Sequence, residues 1–179
     1  MKQVILRAIS LLLAAVAITP TILNGAEPDK DTLFWIERNK NENIIQYDAR
    51  IAANGLLHEK EPVVVYWVRL AEQGQVKKLT WTQRKFAYGF KVKLEHDENT
   101  ATMDMVLNIG RNITVKQKDE DYRAVIQING AASYLEKMFI HASGKGLSTR
   151  LNYIELHGKA VNNGEEQYER IPPSEGGKS

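Results

Sequence analysis

Residues 102–109 read TMDMVLNI and alternate between apolar side chains and a second set that is mainly polar. Successive side chains of a β-strand point to opposite faces of its sheet, so a period of two is typical of a strand with one face in the core. The same alternation continues in residues 113–115 and 122–128. This part of the chain therefore predicts adjacent antiparallel strands.

Ten segments carry this alternation or a β-branched run and are predicted as strands. They are residues 32–38, 43–51, 63–70, 88–95, 100–109, 112–118, 122–128, 132–142, 150–159 and 166–171. Gly110, Gly130 and Gly164 tolerate positive φ angles and mark turns between strands. The predicted fold class is all-β and mainly antiparallel: a single-domain β-barrel or two-sheet sandwich of about nine or ten strands, with at most one or two short helices.

Residues 80–87 are the place where a helix competes with a strand. Thr80 and Gln83 have the spacing of a capping box, in which two side chains satisfy backbone N–H groups at a helix start. A continuing strand is the alternative. Residues 63–68, VVVYWV, do not alternate and predict a strand that is covered on both faces.

The first residues have the outline of a signal peptide. Two basic residues precede an uncharged apolar run at 8–18, which is shorter than the roughly 20 apolar residues of a membrane-spanning helix. We expect residues 1–26 to be removed on export, to the periplasm or the extracellular space, leaving no transmembrane segment in the mature chain. Residues 27–171 are predicted as one β-rich domain, and 172–179 as a disordered tail without apolar anchors.

Export changes the charge balance of the chain. The sequence has 24 basic and 22 acidic residues, and the segment 1–26 contains two of the basic ones and no acid. The mature chain is therefore neutral and lacks the broad positive field that captures nucleic acid, so no nucleic-acid partner is expected. The chain has no cysteine, which excludes disulfides, thiolate catalysis and a lipidated cysteine.

Residues 36–48, IERNKNENIIQYD, predict a hairpin with a polar tip and supply the first part of a candidate site. With the turn centred on Asn41, Trp35 lies opposite Tyr47 and Glu37 shares their face. A carboxylate on an aromatic face is desolvated, so it needs a cation or a proton. Two interpretations stay open: an acid anchored in a pocket, or an ion pair at a strand end.

Residues 77–93 contain cations interleaved with aromatic residues and no acid. They are Lys77, Lys78, Arg84, Lys85, Lys91 and Lys93, with Trp81, Phe86, Tyr88 and Phe90. Such a mixture suits anionic headgroups, polysaccharide or a phosphorylated ligand, although a strand with one solvated face is the simpler explanation. Arg84 is the expected cation partner of Glu37. The predicted binding residues from both segments are Trp35, Glu37, Arg38, Asn39, Lys40, Asn41, Tyr47, Asp48, Arg84 and Tyr88.

Four runs of sequence carry a family resemblance. They are IERNKNENIIQYD at 36–48, PVVVYWVRL at 62–70, RKFAYGFK at 84–91 and YIELHG at 153–158. With these runs the chain resembles a family of secreted bacterial proteins described as a domain of unknown function, family 4833. The resemblance implies a domain identity and an exported location, and it implies no catalytic residue.

Metal and cofactor chemistry have little support in the sequence. The predicted hairpin centred near Gly146 sets Lys137 opposite Glu155, and it holds His141 and His157 about six residues apart, or roughly 20 Å. These imidazoles are too far apart to share an ion. Motifs of common hydrolases and oxidoreductases are absent, so no metal or cofactor is expected.

The predicted function is a non-catalytic binding or interaction module of the bacterial envelope. Its partner would be an unknown small molecule, a lipid or an envelope component. Two alternatives stay open: a hydrolase that uses a carboxylate such as Glu37 on a glycan or ester, and a structural envelope component. The sequence does not determine the oligomeric state.

Overall fold

The computed structural model describes residues 31–95, 99–144 and 148–173. The predicted signal peptide, the end of the predicted tail and the hairpin centre at Gly146 lie outside the described residues. Strands dominate the described part of the chain, so the predicted all-β fold class is confirmed.

Eleven strands follow one another along the chain. They are β1 Thr32–Arg38, β2 Asn41–Ala49, β3 Val63–Arg69, β4 Gln75–Lys78, β5 Phe90–Leu94, β6 Thr100–Met105, β7 Ile113–Lys118, β8 Asp121–Ile128, β9 Ala131–Ser143, β10 Arg150–Ala160 and β11 Glu166–Ile171. A 3₁₀ turn at Leu70–Glu72 precedes β4. Between β4 and β5 lies a helical segment, residues 81–88, in which helix α1 (Trp81–Gln83) continues as a π-helical turn (Arg84–Tyr88).

The start of the helical segment confirms the predicted capping box. The backbone N–H of Gln83 donates to the Thr80 hydroxyl at 3.3 Å, and the backbone N–H of Thr80 donates to the Gln83 side chain at 2.8 Å. Both bonds satisfy donors that a helix start leaves without intrahelical partners. Of the two structures that the sequence allowed at residues 80–87, a helix or a continuing strand, the helix forms.

The strands form one curled sheet with the shape of a half-barrel. Nine strands follow the order β4-β3-β2-β1-β9-β8-β7-β6-β5, and β10 and β11 attach to this path through β9. Strand β9 is 13 residues long, so β8 and β1 pair with different stretches of it while β10 pairs along most of its length. The β1–β9 pairing is parallel, and the other strand pairs are antiparallel.

The core lies on one face of this sheet. In the stretch that first indicated a strand, Met103, Met105 and Ile109 are buried, whereas Asp104 and Val106 are exposed. The alternation therefore predicted the buried face correctly. Strand β6 nevertheless ends at Met105, before the predicted end of the strand, because the chain bends there toward β7.

The predicted register between the first two strands is wrong by one residue. Tyr47 lies opposite Phe34, and Trp35 lies opposite Gln46. The chain turns at Asn39-Lys40, before the predicted centre at Asn41, and a register shift between Ile36 and Arg38 leaves a net difference of one residue. Because a slip of one residue inverts a strand, Tyr47 points into the core, away from Trp35.

The register between β9 and β10 differs from the prediction by two residues. Glu155 lies opposite Phe139, and His157 lies opposite Lys137. A shift of two residues preserves the face of each side chain, so Lys137 and Glu155 share a face as predicted but are not directly paired. A register shift between Leu151 and Tyr153, which lies between the turn and these pairs, contributes to this difference.

Candidate functional site

Arg38, at the end of β1, is the centre of the candidate site. Its Nη1 donates to the Tyr88 hydroxyl at 2.9 Å, and its Nη2 donates to the Asn41 side-chain oxygen at 3.1 Å. The guanidinium carbon lies 5.2 Å from the ring centre of Trp67 and 5.7 Å from that of Tyr88. All of these partners are neutral.

Arg38 forms no ion pair with an acid within the described part of the chain. No carboxylate there comes within salt-bridge distance of its guanidinium. Its Nε is also shielded from solvent and lacks a hydrogen-bond partner among the described residues, as do Trp67 Nε1 and Asn43 Oδ1. Buried charges are usually paired, and each unsatisfied buried donor costs about 1–3 kcal/mol.

A cavity of about 320 Å³ opens beside this guanidinium. Its walls come from the helical segment, from the loop after β6, and from β9 and β10. The apolar side chains that line it are Phe86, Ala87, Leu107, Ile140, Ala142 and Leu151. The charged residues in its described lining are Arg38 and Lys40, both cationic. The arrangement suits a ligand with an apolar body and an anionic head.

Side chains of the β1–β2 turn hold the rim of this cavity in place. Asn39 donates to the Ala142 carbonyl and accepts from the Ala142 N–H, both at 3.1 Å, and the Lys40 ammonium donates to the Gly144 carbonyl. Arg38 itself pairs with Ile140 across the parallel β1–β9 contact. The polar tip predicted to bind a ligand is therefore rigidly attached to β9.

Tyr47 and Tyr88 anchor the helical segment to the sheet from below. The Tyr47 hydroxyl donates to the Tyr88 carbonyl at 2.7 Å, and the Tyr47 ring stacks on Phe34 at 4.4 Å. Burial raises the pKa of Tyr47 well above its ordinary value. Tyr47 thus belongs to the support of the site.

Glu37 points away from the cavity, and its predicted pairing with Arg84 is wrong. Lys137 donates to one Glu37 oxygen at 3.1 Å, and the Trp35 indole N–H donates to the other at 2.9 Å. The Glu37 side chain is 34% exposed, so the predicted burial is only partial. Of the two interpretations of Glu37, this geometry matches the strand-end ion pair.

Asp48 is occupied by a separate polar network on the face opposite Tyr47. It accepts hydrogen bonds from the Tyr66 hydroxyl and, at 3.0 Å, from the Gln46 amide. The same amide donates to Thr32 at 3.0 Å. The network ties β1, β2 and β3 together, and Asp48 lies outside the Arg38 cavity.

Arg84 lies in a second and larger groove, of about 880 Å³, between β3, β5 and the helical segment. Five cations and one acid are among its lining residues: Arg50, Lys60, Lys78, Arg84, Lys85 and Glu61. The acid forms a salt bridge with Arg50. The predicted residues therefore divide between the cavity, its support, the reverse face of β1 and β2, and this groove.

Four residues of the site were not predicted from the sequence: Leu107, Ile140, Leu151 and Trp67. Ile140 reaches Arg38 through a parallel pairing of strands far apart in the chain, and no local pattern reveals such a pairing. Trp67 carried a usable signal, because it is an aromatic residue with a polar N–H in an otherwise apolar strand.

Comparison with known proteins identifies a family without an assigned activity. The family model described as "Domain of unknown function (DUF4833)" matches residues 34–170. No curated protein and no solved structure matches the chain significantly. In the described residues, no helix is long and apolar enough to cross a membrane, and no group of three or more His, Asp or Glu side chains is positioned to hold a metal ion.

Proposed function

We propose that this chain, which belongs to the DUF4833 family of domains of unknown function, is an exported binding module that holds the anionic head of a small amphiphile at Arg38. The observation that carries the proposal is the partly buried guanidinium without an acid partner in the described residues, beside an apolar cavity of about 320 Å³. A bound anion supplies the missing countercharge. Export is supported by the leader-like residues 1–26 alone.

The chemistry of the cavity defines the ligand class. A guanidinium forms strong, charge-assisted hydrogen bonds with carboxylate and phosphate. The apolar walls formed by Phe86, Leu107, Ile140 and Leu151 favour an aliphatic chain over a sugar. The occupant is therefore a carboxylate or phosphate with a short acyl or alkyl tail.

Titration calorimetry with four eight-carbon probes tests this assignment. Octanoate and octyl phosphate should bind, octanol should bind at least about tenfold more weakly, and octylamine should not bind, since it places a cation beside Arg38. Comparison of the first two probes distinguishes a carboxylate head from a phosphate head. Equal binding of all four probes would contradict the proposal.

Variants of the two cavity cations provide a second arm of the test. Arg38→Gln should weaken octanoate or octyl phosphate binding by about 10–100-fold, the loss expected for a charge-assisted hydrogen bond. Lys40→Gln should weaken binding several-fold, and because Lys40 also bonds the Gly144 carbonyl, circular dichroism and melting of this variant are compared with those of the parent. Arg50→Gln, on a surface ion pair outside the cavity, is the matched control and should bind like the parent.

The hydrolase alternative requires a free carboxylate, and Glu37 has both oxygens engaged by Lys137 and Trp35. The alternative of a structural envelope component leaves the unpaired charge of Arg38 without a role. Neither alternative explains the cationic, apolar cavity, which is why binding is the function that we propose.

A further inference from the structure

The helical segment carries an exposed basic aromatic face, formed by Trp81, Arg84, Lys85 and Phe86. Trp81 is 68% exposed and Phe86 is 66% exposed. Their rings meet edge to face at 6.0 Å, and the Lys85 ammonium lies 4.7 Å from the Trp81 ring centre. Adjacent aromatic side chains at this exposure form an apolar surface patch, and such patches are typical of sites that bind a protein, a membrane or a ligand.

The charge of this face selects the partner. Residues 77–93 contain six cations and no acid, although the mature chain as a whole is neutral. A surface of this sign attracts anionic lipid headgroups, and each cation close to such a membrane contributes measurably to binding. Exposed Trp and Phe side chains gain free energy by entering the interface between headgroups and acyl chains.

The sheet holds this face in a fixed orientation. Tyr88, at the end of the helical segment, is buried and bonded to both Arg38 and Tyr47. Gly89 packs so closely under the segment that a Cβ there would lie 2.0 Å from the Arg84 carbonyl oxygen. Because the segment is fixed at this end, its aromatic rings are presented outward without the cost of ordering a loop.

We propose that the basic aromatic face docks the protein on anionic membrane surfaces, with Trp81 and Phe86 inserted at the interface and Arg84 and Lys85 at the headgroups. A soluble anionic polysaccharide is the less suitable partner, because it offers no apolar layer for Phe86. This inference goes beyond the Arg38 cavity. Phe86 borders both sites, so a docked molecule has its cavity next to the lipid.

Vesicle co-sedimentation measures this docking. The full chain is produced in cells and purified, and its intact mass is determined so that residues 1–26 are in the same state in every variant. Vesicles of phosphatidylcholine with about one third phosphatidylglycerol are compared with vesicles of phosphatidylcholine alone. The parent should bind the anionic vesicles, release them as salt rises, and leave the neutral vesicles unbound.

Two double variants separate the roles of charge and ring. Arg84→Gln with Lys85→Gln should weaken binding by about 25-fold, at roughly fivefold for each cation. Trp81→Ala with Phe86→Ala should weaken binding by at least about tenfold. All four side chains are exposed, so circular dichroism and melting should match those of the parent.

A matched control removes the same charge elsewhere. Lys116 and Lys118 lie on β7 beside the end of β6 that is farthest from the helical segment, and Lys116→Gln with Lys118→Gln should bind like the parent. The Arg84→Gln with Lys85→Gln variant should keep binding octanoate and octyl phosphate, because neither residue lines the Arg38 cavity, so the two proposals fail separately. Three results would overturn docking: a parent that does not bind anionic vesicles, a control variant whose binding falls as much as that of the Arg84–Lys85 variant, or unchanged binding after removal of both rings.

Discussion

Tyr47 illustrates how a residue predicted to bind ligand supports the site from beneath. Its buried hydroxyl donates to the Tyr88 carbonyl at 2.7 Å, and Tyr88 in turn accepts from Arg38. A Tyr47→Phe change removes one buried hydrogen bond and keeps the ring stack on Phe34. The hydrogen bond from β2 to the helical segment therefore depends on this one oxygen.

We predict that Tyr47→Phe lowers the free energy of unfolding by about 1–2 kcal/mol near neutral pH. It should also flatten the loss of stability in alkali. Burial raises the pKa of Tyr47 above its ordinary value of 10.0, so above about pH 10 the unfolded chain releases a proton that the folded chain retains, and stability falls as pH rises. Urea unfolding of both proteins across that range measures the difference; identical slopes would refute this role.

Glu37 and Lys137 form an ion pair in which each side chain is about one third exposed, at 34% and 33%. Solvent screens such pairs, so Glu37→Gln and Lys137→Gln should each cost less than about 1 kcal/mol of unfolding free energy. The double variant should cost less than the two losses added together. Denaturant unfolding gives these values. A loss of several kcal/mol in either single variant would mean that the pair is far more desolvated than its exposure implies.

Gly158, the last residue of the YIELHG run, shows how a strand can require a glycine. A Cβ added there would lie 2.1 Å from the Tyr134 carbonyl oxygen and 3.0 Å from the Ile128 side chain. Since the contacted oxygen is a backbone atom of the neighbouring strand β9, the clash cannot be relieved by a side-chain rotation. We expect Gly158→Ala to destabilise the fold by about 3 kcal/mol or more.

Gly55→Ala is the matched control for this change. Gly55 has a φ of +82° and open space around its Cβ position, so alanine there carries only left-handed strain, about 1–2 kcal/mol. The melting temperatures of the two variants show whether the steric clash at Gly158 costs more stability than the backbone strain at Gly55. A Gly158→Ala protein as stable as the Gly55→Ala protein would show that β9 and β10 can separate at this point.

The strands predicted most accurately are those with clear alternation or clear turn residues. The bounds of β1 and β11 match the prediction, and those of β8 and β9 differ by one residue at most. The sequence does not predict β4, because all four of its residues are exposed and show no alternation. Burial creates the pattern, so a strand with no buried face leaves no pattern to read.

Registers and long-range pairings were harder to predict than strands. A turn at Asn39-Lys40 in place of one centred on Asn41 sufficed to move Tyr47 from a candidate site into the core. The structure does bring together Arg38, Asn39, Lys40, Asn41 and Tyr88, yet part of the apolar wall beside them comes from β9 and β10. The parallel β1–β9 pairing that assembles this wall joins residues about a hundred positions apart, and local periodicity carries no information about it.

Residues 27–179 contain equal numbers of basic and acidic residues, but these charges are unevenly distributed. Six cations lie in residues 77–93 without an acid, and two more face the cavity next to this segment. The acids are therefore concentrated elsewhere on the molecule. An uneven distribution orients a neutral protein in the field of a charged surface and adds little non-specific attraction.

Export remains a prediction of the sequence, and it has a direct test. Protein recovered from the envelope or medium of bacteria that express the full chain should have lost about the first 26 residues, the length of the predicted leader. Intact mass spectrometry reports the cleavage. Recovery of the uncleaved chain in the cytosol would contradict the exported location.

The proposed role of Arg38 is to neutralise an anionic amphiphile in the cavity beside the helical segment. Native mass spectrometry of the protein taken from the bacterial envelope tests it most directly, because the ligand is weighed while bound and is identified after release. The parent and Arg50→Gln should carry a molecule with a carboxylate or phosphate head and an aliphatic tail, and Arg38→Gln should carry none. A parent that is empty, or an Arg38→Gln protein that retains the same molecule, would contradict the claim.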